Sequence, residues 1–453
     1  MQHLRYDVSE IPSAYSRPQK CLIGASIPRS GHHFLQTLLS QYFGEEMFYC
    51  EFYSRSDCCR NVPCTRRGPH LLSYQKSHDR KGEVRKDLQD ALYIIQYREP
   101  VGEAVSDREL DMVDHVGRKS LNYRMSADYY VWWLALKAVY YRDFHDKWFA
   151  PRLGNAIYLD YAALAANPAA AIAMIARRAT GAADEGRIAG AVGEAASMRA
   201  GVAPHKTQPG TYVPRKVENS PYFDHDLLAA FEAYVLDRCP HYGFKRGLGG
   251  CYREHPFYGL MLLHDEREPL PSNAPDRLHA AAQFAPDHPE IALRLARRHL
   301  AAGNAQAAIA ALEALLVRNP YIGAAYKALF EAYQKAGQPL SAKRLGGDAI
   351  YACSDNPTAL LQLAQAYLES DMRVNAIAVL SFLTALEPDN FRAALLFARV
   401  LADERQWKQA ELHAERAFQL KPKHKELVRL IARIRKQFGK KHVRLVGKDA
   451  AGA

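Results

Sequence analysis

The stretch Cys21-Leu22-Ile23-Gly24-Ala25-Ser26-Ile27-Pro28-Arg29-Ser30-Gly31-His32-His33-Phe34-Leu35 decides how the first half of the chain reads. Its opening is a short apolar run of the kind that makes a buried parallel strand. Phe34, Leu35, Leu38, Leu39 and Tyr42 then follow helical spacing. Arg29, Ser30 and Gly31 therefore sit on a strand-to-helix turn, where backbone N–H groups and the helix dipole favour an anion. Gly31 permits close backbone approach, Ser30 offers a hydroxyl, and Arg29 adds a fixed cation with several N–H donors. The turn is expected to cradle a phosphate.

The neighbouring residues narrow down which phosphate. A nucleotide triphosphatase carries Gly-x-x-x-x-Gly-Lys-Ser/Thr, but His32 and His33 stand where the Lys and the metal-binding hydroxyl belong. A later apolar run, Ala91-Leu92-Tyr93-Ile94-Ile95-Gln96-Tyr97, ends in Arg98 rather than in an Asp that would hold Mg²⁺. A cation at that strand end suits a second phosphate.

At these residues the chain resembles the sulfotransferases that use 3′-phosphoadenosine 5′-phosphosulfate (PAPS). Pro28 to Phe34 fits the family's first loop, Pro-Lys/Arg-Ser-Gly followed by two small or polar residues and an aromatic. Arg98, Pro100 and Ser106 fit its second signature, and Lys76-Ser77-His78 fits the Lys-Thr/Ser-His element that the family often places between the two. Ala156 to Tyr161 with Leu164 and Pro168 resembles the later strand and helix entry. Two departures stand out. His32-His33 replaces the usual Thr-Thr pair, which would make phosphate affinity pH-dependent. Pro214-Arg215-Lys216-Val217 is only a partial counterpart of the family's closing Arg-Lys-Gly.

The resemblance implies a reaction and roles. A sulfuryl group would pass from PAPS to an acceptor hydroxyl, with 3′,5′-adenosine bisphosphate as product and no metal required. Arg29 would bridge the leaving oxygen and the sulfonate, Lys76 would add charge on the sulfonate side, and His78 would be the general base. Ser30, Gly31, His32, His33 and Phe34 would hold the 5′-phosphate. Arg98 and Ser106 would hold the 3′-phosphate, with Arg215 and Lys216 closing over it. Asp79 and Glu51 are alternative bases, since related branches use carboxylates.

The C-terminal third carries an exact repeat. Ala308, Ala342, Ala376 and Ala410 are spaced by 34 residues, as are Leu295, Leu329, Leu363 and Phe397. Gly303 and Gly337 mark one turn, Tyr333 and Tyr367 recur in phase, and Pro320, Pro388 and Pro422 close their units, with Ser354 as the exception. Small residues let paired helices approach, large ones fill the groove, and Pro starts a new unit. The segment resembles tetratricopeptide repeats, four units over 289–424, and the resemblance implies a curved helical solenoid that binds a peptide or protein partner.

Composition fits this organisation. With 48% hydrophobic and 24% charged residues, and 27 Gly and 24 Pro in 453 residues, the chain is not collagen, a disordered tail or a disulfide-dense miniprotein. Eleven Lys and Arg against Glu426 and Asp449 put nine of the formal +11 into 421–453. Leu427, Leu430, Ile431, Ile434 and Phe438 share one helical face there, so a capping helix with a solvated basic face is favoured over a membrane or nucleic-acid patch. A weak contact of 421–448 with an anionic surface is kept as the alternative. The most apolar run, Val131 to Tyr141, is broken by Lys137 and falls short of the ~18 residues a bilayer helix needs. The opening residues, Met1 to Asp7, show no apolar signal core, so a cytoplasmic, reducing location is expected.

Cys50, Cys58, Cys59 and Cys64 crowd one segment without paired Cys-x₂-Cys knuckles, so loop thiols are favoured over zinc or a disulfide. The aromatics between Tyr123 and Phe149 read as a buried helix rather than a sugar-stacking platform.

The expected architecture is an α/β, P-loop-like parallel sheet flanked by helices, the sulfotransferase fold, over 1–248. A connector at 249–288, the all-α tetratricopeptide solenoid and a basic capping helix and tail at 425–453 follow. The acceptor is expected to be a glycan or lipid-linked saccharide, with a protein or peptide (tyrosine) as the alternative and no nucleic acid. Two rivals remain: a P-loop nucleotide kinase and a non-catalytic tetratricopeptide scaffold.

Overall fold

A computed structural model describes residues 21–51, 61–62, 64–66, 72–115, 121–200, 216–354 and 356–449. The chain divides into two compact units, Met1–Val113 with Trp133–Asp265, and Asp114–Trp132 with Glu266–Ala453.

The first unit is built on five parallel strands: β1 (Cys21–Ser26), β2 (Met47–Glu51), β3 (Leu72–Ser77), β4 (Ala91–Tyr97) and β5 (Ala156–Asp160), in the order β2-β3-β1-β4-β5. Every residue of β1 is buried, as a central parallel strand covered on both faces requires. β1 pairs with β3 on one side and β4 on the other, with Gly24 opposite both Lys76 and Ile94. The chain thus runs from β1 to one edge of the sheet and returns across β1 to the other. Such a reversal leaves a crevice beyond the carboxyl ends of the strands.

The helices of the chain before the repeats are α1 (His32–Phe43), α2 (Pro100–His115), α3 (Leu121–Met125), α4 (Ala127–Trp148), α5 (Tyr161–Ala166), α6 (Pro168–Thr180), α7 (Glu185–Ala200), α8 (His225–Arg238), α9 (Phe257–His264) and α10 (Arg277–Phe284). One sheet face, with Leu22, Tyr74, Leu92 and Ile94, packs on Leu35, Leu38 and Leu39 of α1 and on Ile172 and Ile175 of α6. On the other face the Tyr93 ring meets Trp148 of α4 at 5.4 Å between centroids. Asn167 caps α6 by accepting the Ala170 N–H, and Pro168 fills its first turn.

The repeat helices keep step to the residue. α11 (Pro289–Ala301), α13 (Gly323–Lys335), α15 (Pro357–Glu369), α17 (Phe391–Asp403) and α19 (Lys425–Asp449) begin 34 residues apart, and so do α12 (Ala305–Arg318), α14 (Pro339–Ala352), α16 (Arg373–Leu386) and α18 (Trp407–Leu420). Ala308, Ala342, Ala376 and Ala410 are each fully buried, where a larger side chain would push paired helices apart. The turn between paired helices takes a positive φ at the same phase in all four units: Gly303 (82°), Gly337 (69°), Asp371 (55°) and Arg405 (58°). Glycine adopts this conformation without strain, whereas Asp and Arg do so at a cost. α19 starts in the phase of a fifth first helix and lays Leu427 and Ile434 into the array's core, as a capping helix does.

Two details depart from the organisation expected of the sequence. The 249–288 segment contains α9 and α10, and the boundary between units falls within it, after Asp265. Residues Asp114–Trp132, read as part of the first domain, belong with the repeats. The His288 ring donates from Nε2 to the Asp128 carbonyl (2.9 Å), and Tyr123 packs on the repeat core. Tyr129 and Tyr130 of α4 are buried, in line with core packing. No helix among the described residues is long and apolar enough to cross a membrane.

Candidate anion and transfer site

The turn after β1 is held by its own backbone. Ser30 donates its N–H to the Ile27 carbonyl (3.3 Å), and its fully buried hydroxyl is directed at the Ile27 and Gln96 carbonyls. The phosphate contact expected of the Ser30 hydroxyl is thus corrected: the group braces the turn, because buried carbonyls beside it need a donor. Arg29 lies at φ 58° and Gly31 at φ 82°, and no side chain caps α1. A Cβ on Gly31 would come within 2.7 Å of the Tyr161 ring, so glycine is required by both conformation and space.

β1 and β4 run side by side with Ser26 opposite Gln96, which brings the residues just beyond each strand together. Arg98 donates from Nη1 to the Arg29 carbonyl (3.4 Å), and its guanidinium lies 4.7 Å above the Tyr161 ring. Arg29 donates from Nε to Ser106 Oγ on α2 (3.1 Å). Arg29 therefore links the two expected signatures, Arg98 through its backbone carbonyl and Ser106 through its side chain. Arg98 Nε pairs with Glu99 Oε1 (3.6 Å), and the buried His32 Nδ1 has no hydrogen-bond partner. An unpartnered buried ring nitrogen beside a glycine cradle leaves room for a polar ligand. His32 is buried against the His33 and His78 rings, at 4.0 and 4.7 Å between centroids, and burial with nearby cations lowers its pKa to about 2. It is therefore neutral at physiological pH, and the pH-dependent affinity expected of it does not follow. His33 is exposed, and Phe34 packs into the core beneath the sheet.

Lys76 and His78 sit one strand over, at the end of β3. Lys76 is 2% exposed and donates to Glu51 Oε1 (3.2 Å) and to His78 Nε2 (3.0 Å). An ammonium only donates, so Nε2 accepts and the ring proton lies on Nδ1, which donates to the Ser26 carbonyl (2.8 Å). Burial and the Lys76 charge push the His78 pKa down to about 4, away from the near-neutral titration expected of a catalytic imidazole. Burial also lowers the Lys76 pKa, with Glu51 opposing.

The alternative bases are otherwise engaged. Asp79 accepts from the Val84 N–H (2.8 Å) and Trp148 Nε1 (2.9 Å) and pairs with Lys147 (2.6 Å), while Glu51 pairs with Lys76. Arg215 lies outside the described residues; Lys216 is exposed and precedes the 3₁₀ turn Val217–Asn219. Of the clustered cysteines, Cys58 and Cys59 also lie outside the described residues, and among the described residues no group of His, Cys, Asp and Glu could hold a metal.

Three contributors went unnoticed in the sequence. Tyr140, placed among core aromatics, donates its hydroxyl to the His78 carbonyl (2.6 Å). Tyr161 supports Arg98 and abuts Gly31. Lys137, on α4, donates to Glu103 and Asp107 of α2 at 2.8 Å each, and Tyr141 donates to Glu103 (3.0 Å). Burial raises the Glu103 pKa to about 7. This network ties the helix bearing Ser106 to the helix bearing Tyr140. A lysine interrupting an aromatic helix was the signal available for it.

No protein-family model matches the chain, and no curated protein matches it. Among solved structures it is similar to MamA, at 18% identity over 32% of this chain and 80% of that one, with a TM-score of 0.26. A thermophilic TPR protein from Thermus thermophilus is similar at 23% identity over 39% of this chain and 91% of that one (TM-score 0.27). YrrB, titled a TPR protein with an unusual peptide-binding site, is similar at 14% identity over 38% and 97% (TM-score 0.25). At such scores the likeness adds nothing to what the chain's own 34-residue step and paired helices show: an α/β unit followed by a helical repeat array.

Proposed function

We propose that the chain is a PAPS-dependent sulfotransferase that modifies a hydroxyl of a glycan or lipid-linked saccharide, with the repeat array holding a protein or peptide partner. The observation that carries the proposal is the linkage of Arg98 and Ser106 through Arg29, by its carbonyl and its guanidinium, beyond the carboxyl ends of β1 and β4. Two guanidinium groups just beyond separate strands, beside the Gly31 turn, fit a ligand with two phosphate groups better than one with a metal-bound triphosphate. The donor supplies the activated sulfuryl group.

The chain's own groups divide the remaining work. Arg29 and Lys76 offset negative charge that develops on the leaving phosphate side and on the sulfonate. His78 takes the acceptor proton at Nε2 while Nδ1–H stays on the Ser26 carbonyl, which fixes the ring. Lys76 now occupies that Nε2 lone pair. An anion that draws the Lys76 ammonium away both frees Nε2 and raises the proton affinity of the imidazole, since the cation beside it is then compensated. Tyr140 keeps the His78 backbone in place.

For the repeats, the support is the exposed apolar set Val317, Tyr351, Leu340 and Val374, two pairs each spaced by one 34-residue step on second helices.

Calorimetry of the full chain with 3′,5′-adenosine bisphosphate against ATP with and without Mg²⁺ tests the enzymatic proposal. Tight bisphosphate binding that ignores Mg²⁺ is expected; Mg²⁺-dependent ATP binding in its place rejects it in favour of a nucleotide kinase.

A further inference from the structure

Two carboxylates share one ammonium between α2 and α4. Glu103 and Asp107 stand four residues apart on α2, hence on one face of the helix. Lys137 of α4 donates to Glu103 Oε1 and Asp107 Oδ2 at 2.8 Å each, and its Nζ lies 4.8 Å from the centre of the Trp133 ring. Glu103 is fully buried and Lys137 is 7% exposed, so the pairing sits out of water. Apolar residues of similar volume often hold two helices together as well as buried charges do, so adhesion alone is no reason for an ammonium here.

Each helix also carries a contact of the transfer site. Ser106 directly precedes Asp107 and accepts from Arg29 Nε (3.1 Å). Tyr140 lies three residues beyond Lys137, on the same side of α4, and donates to the His78 carbonyl (2.6 Å). His78 in turn donates from Nδ1 to the Ser26 carbonyl at the end of β1, three residues before Arg29. The contacts therefore close a ring through the anion half and the base half of the site, and Lys137 is the member that crosses from α2 to α4. Charge reaches His78 along the same path. Asp107 favours its protonation against Lys76 and Arg80, which disfavour it, while the neutral His32 ring stands edge-on at 4.7 Å.

We propose that Lys137 is a positioning residue for the transfer site: it locks α2 against α4 so that Ser106 stays on Arg29 and Tyr140 on His78, and it screens His78 from the Asp107 carboxylate. What the site transfers rests on the sulfotransferase proposal, whereas the lock can be measured with no donor present. Glu103 shares the ammonium without being a member of the ring, so it can lose its charge and leave the ring closed. Burial raises its pKa to about 7, and the native chain passes through that neutral form near neutral pH.

The test follows the His78 ring by NMR in the full chain, its signal assigned by loss in His78→Gln. Lys137→Met alone strands two carboxylates, so it is combined with Glu103→Gln, and circular dichroism checks the fold; Lys137→Gln with Glu103→Gln gives the same comparison should the methionine variant not fold. In the double variant Asp107 is unscreened, and the proton affinity of His78 should rise about tenfold or more, lifting its pKa from about 4 by a unit or more. Glu103→Gln alone should leave it in place, as should Lys137→Arg, whose fork can serve both carboxylates. Adding Asp107→Asn to the double variant should cancel the rise. An unmoved titration, or a rise that persists without Asp107 and so reports general loosening, would overturn the inference. For the anion half, the triple variant should bind 3′,5′-adenosine bisphosphate about tenfold more weakly, and in a Ser106→Ala background the same three changes should cost nothing further. Full loss in both backgrounds, or no loss in either, would equally overturn it. A wild type that binds no bisphosphate would sink the sulfotransferase proposal and leave the His78 titration to decide on Lys137.

Discussion

Replacing Gly31 by Ala probes the anion turn through two separable costs. The backbone there sits at φ 82°, where an L-residue is disfavoured by roughly 1–2 kcal/mol relative to glycine. The new Cβ would lie 2.7 Å from Tyr161 Cδ2, and forcing a methyl into a filled space typically costs ~1–3 kcal/mol. Restricting the unfolded chain returns ~0.4–1 kcal/mol, so a net loss of roughly 2–4 kcal/mol is expected. Differential scanning calorimetry on Gly31→Ala, Tyr161→Ala and the double variant partitions it. Removing the ring should relieve the steric part, giving a coupling of about 1–2 kcal/mol, and leave the φ part in place. Because Arg98 rests on the Tyr161 ring, displacing that ring in Gly31→Ala should also weaken bisphosphate binding about tenfold. A Gly31→Ala protein as stable as wild type within about 0.5 kcal/mol, or strict additivity with Tyr161→Ala, would refute the argument.

Arg98→Ala should weaken 3′,5′-adenosine bisphosphate roughly 30-fold or more while adenosine 5′-phosphosulfate, which lacks the 3′-phosphate, changes little; equal losses remove the 3′-phosphate role. His78→Gln should retain bisphosphate affinity and lower kcat by ~10²–10⁴, and full activity would move the base elsewhere. The His78 pKa of about 4 lies below the ordinary ~6.5, so neutral imidazole is the form the fold favours. Its contribution to stability is complete above pH ~6.5 and declines as acid protonates the unfolded chain, levelling off below about 4. Lys76→Met should move the His78 titration, followed by NMR, back towards neutrality; no movement means that the ammonium is not a cause. Arg405→Gly should stabilise the repeats by roughly 0.5–1 kcal/mol in thermal unfolding, since φ 58° strains arginine and not glycine, and a loss would show that the arginine side chain matters more than its backbone.

What could be read from the residues, and what could not, follows from the range of the forces involved. β1 and its turn were legible because burial on both faces forces an unbroken apolar run, and the strand ending at Arg98 was legible for the same reason. The repeat was legible because packing identical helix pairs demands a small residue at the same place each time, as at Ala342 and Ala376. The contact between Lys76 and His78 was within reach, since residues two apart on a strand share a face, but the depression of the imidazole depends on burial. Tyr161 supporting Arg98 across the sheet end had no local signature. Nor did the attachment of Asp114–Trp132 to the repeats, which depends on partners such as His288 far along the chain. The Ser30 hydroxyl misled because a donor in a phosphate-loop pattern looks outward on paper, whereas the nearest unsatisfied carbonyls lie inward.

The exact stepping of helix starts makes the C-terminal array a ruler with one graduation. Excising 323–356, or duplicating it, would join an end to a beginning that already share the same phase, so the helix-to-helix step is kept across the splice while the side chains that meet there are a new pairing, α12 against α15 in the shortened chain. Length can therefore be gained or lost in whole modules with only the junction left to repack, and the span of the array is set by a count of units.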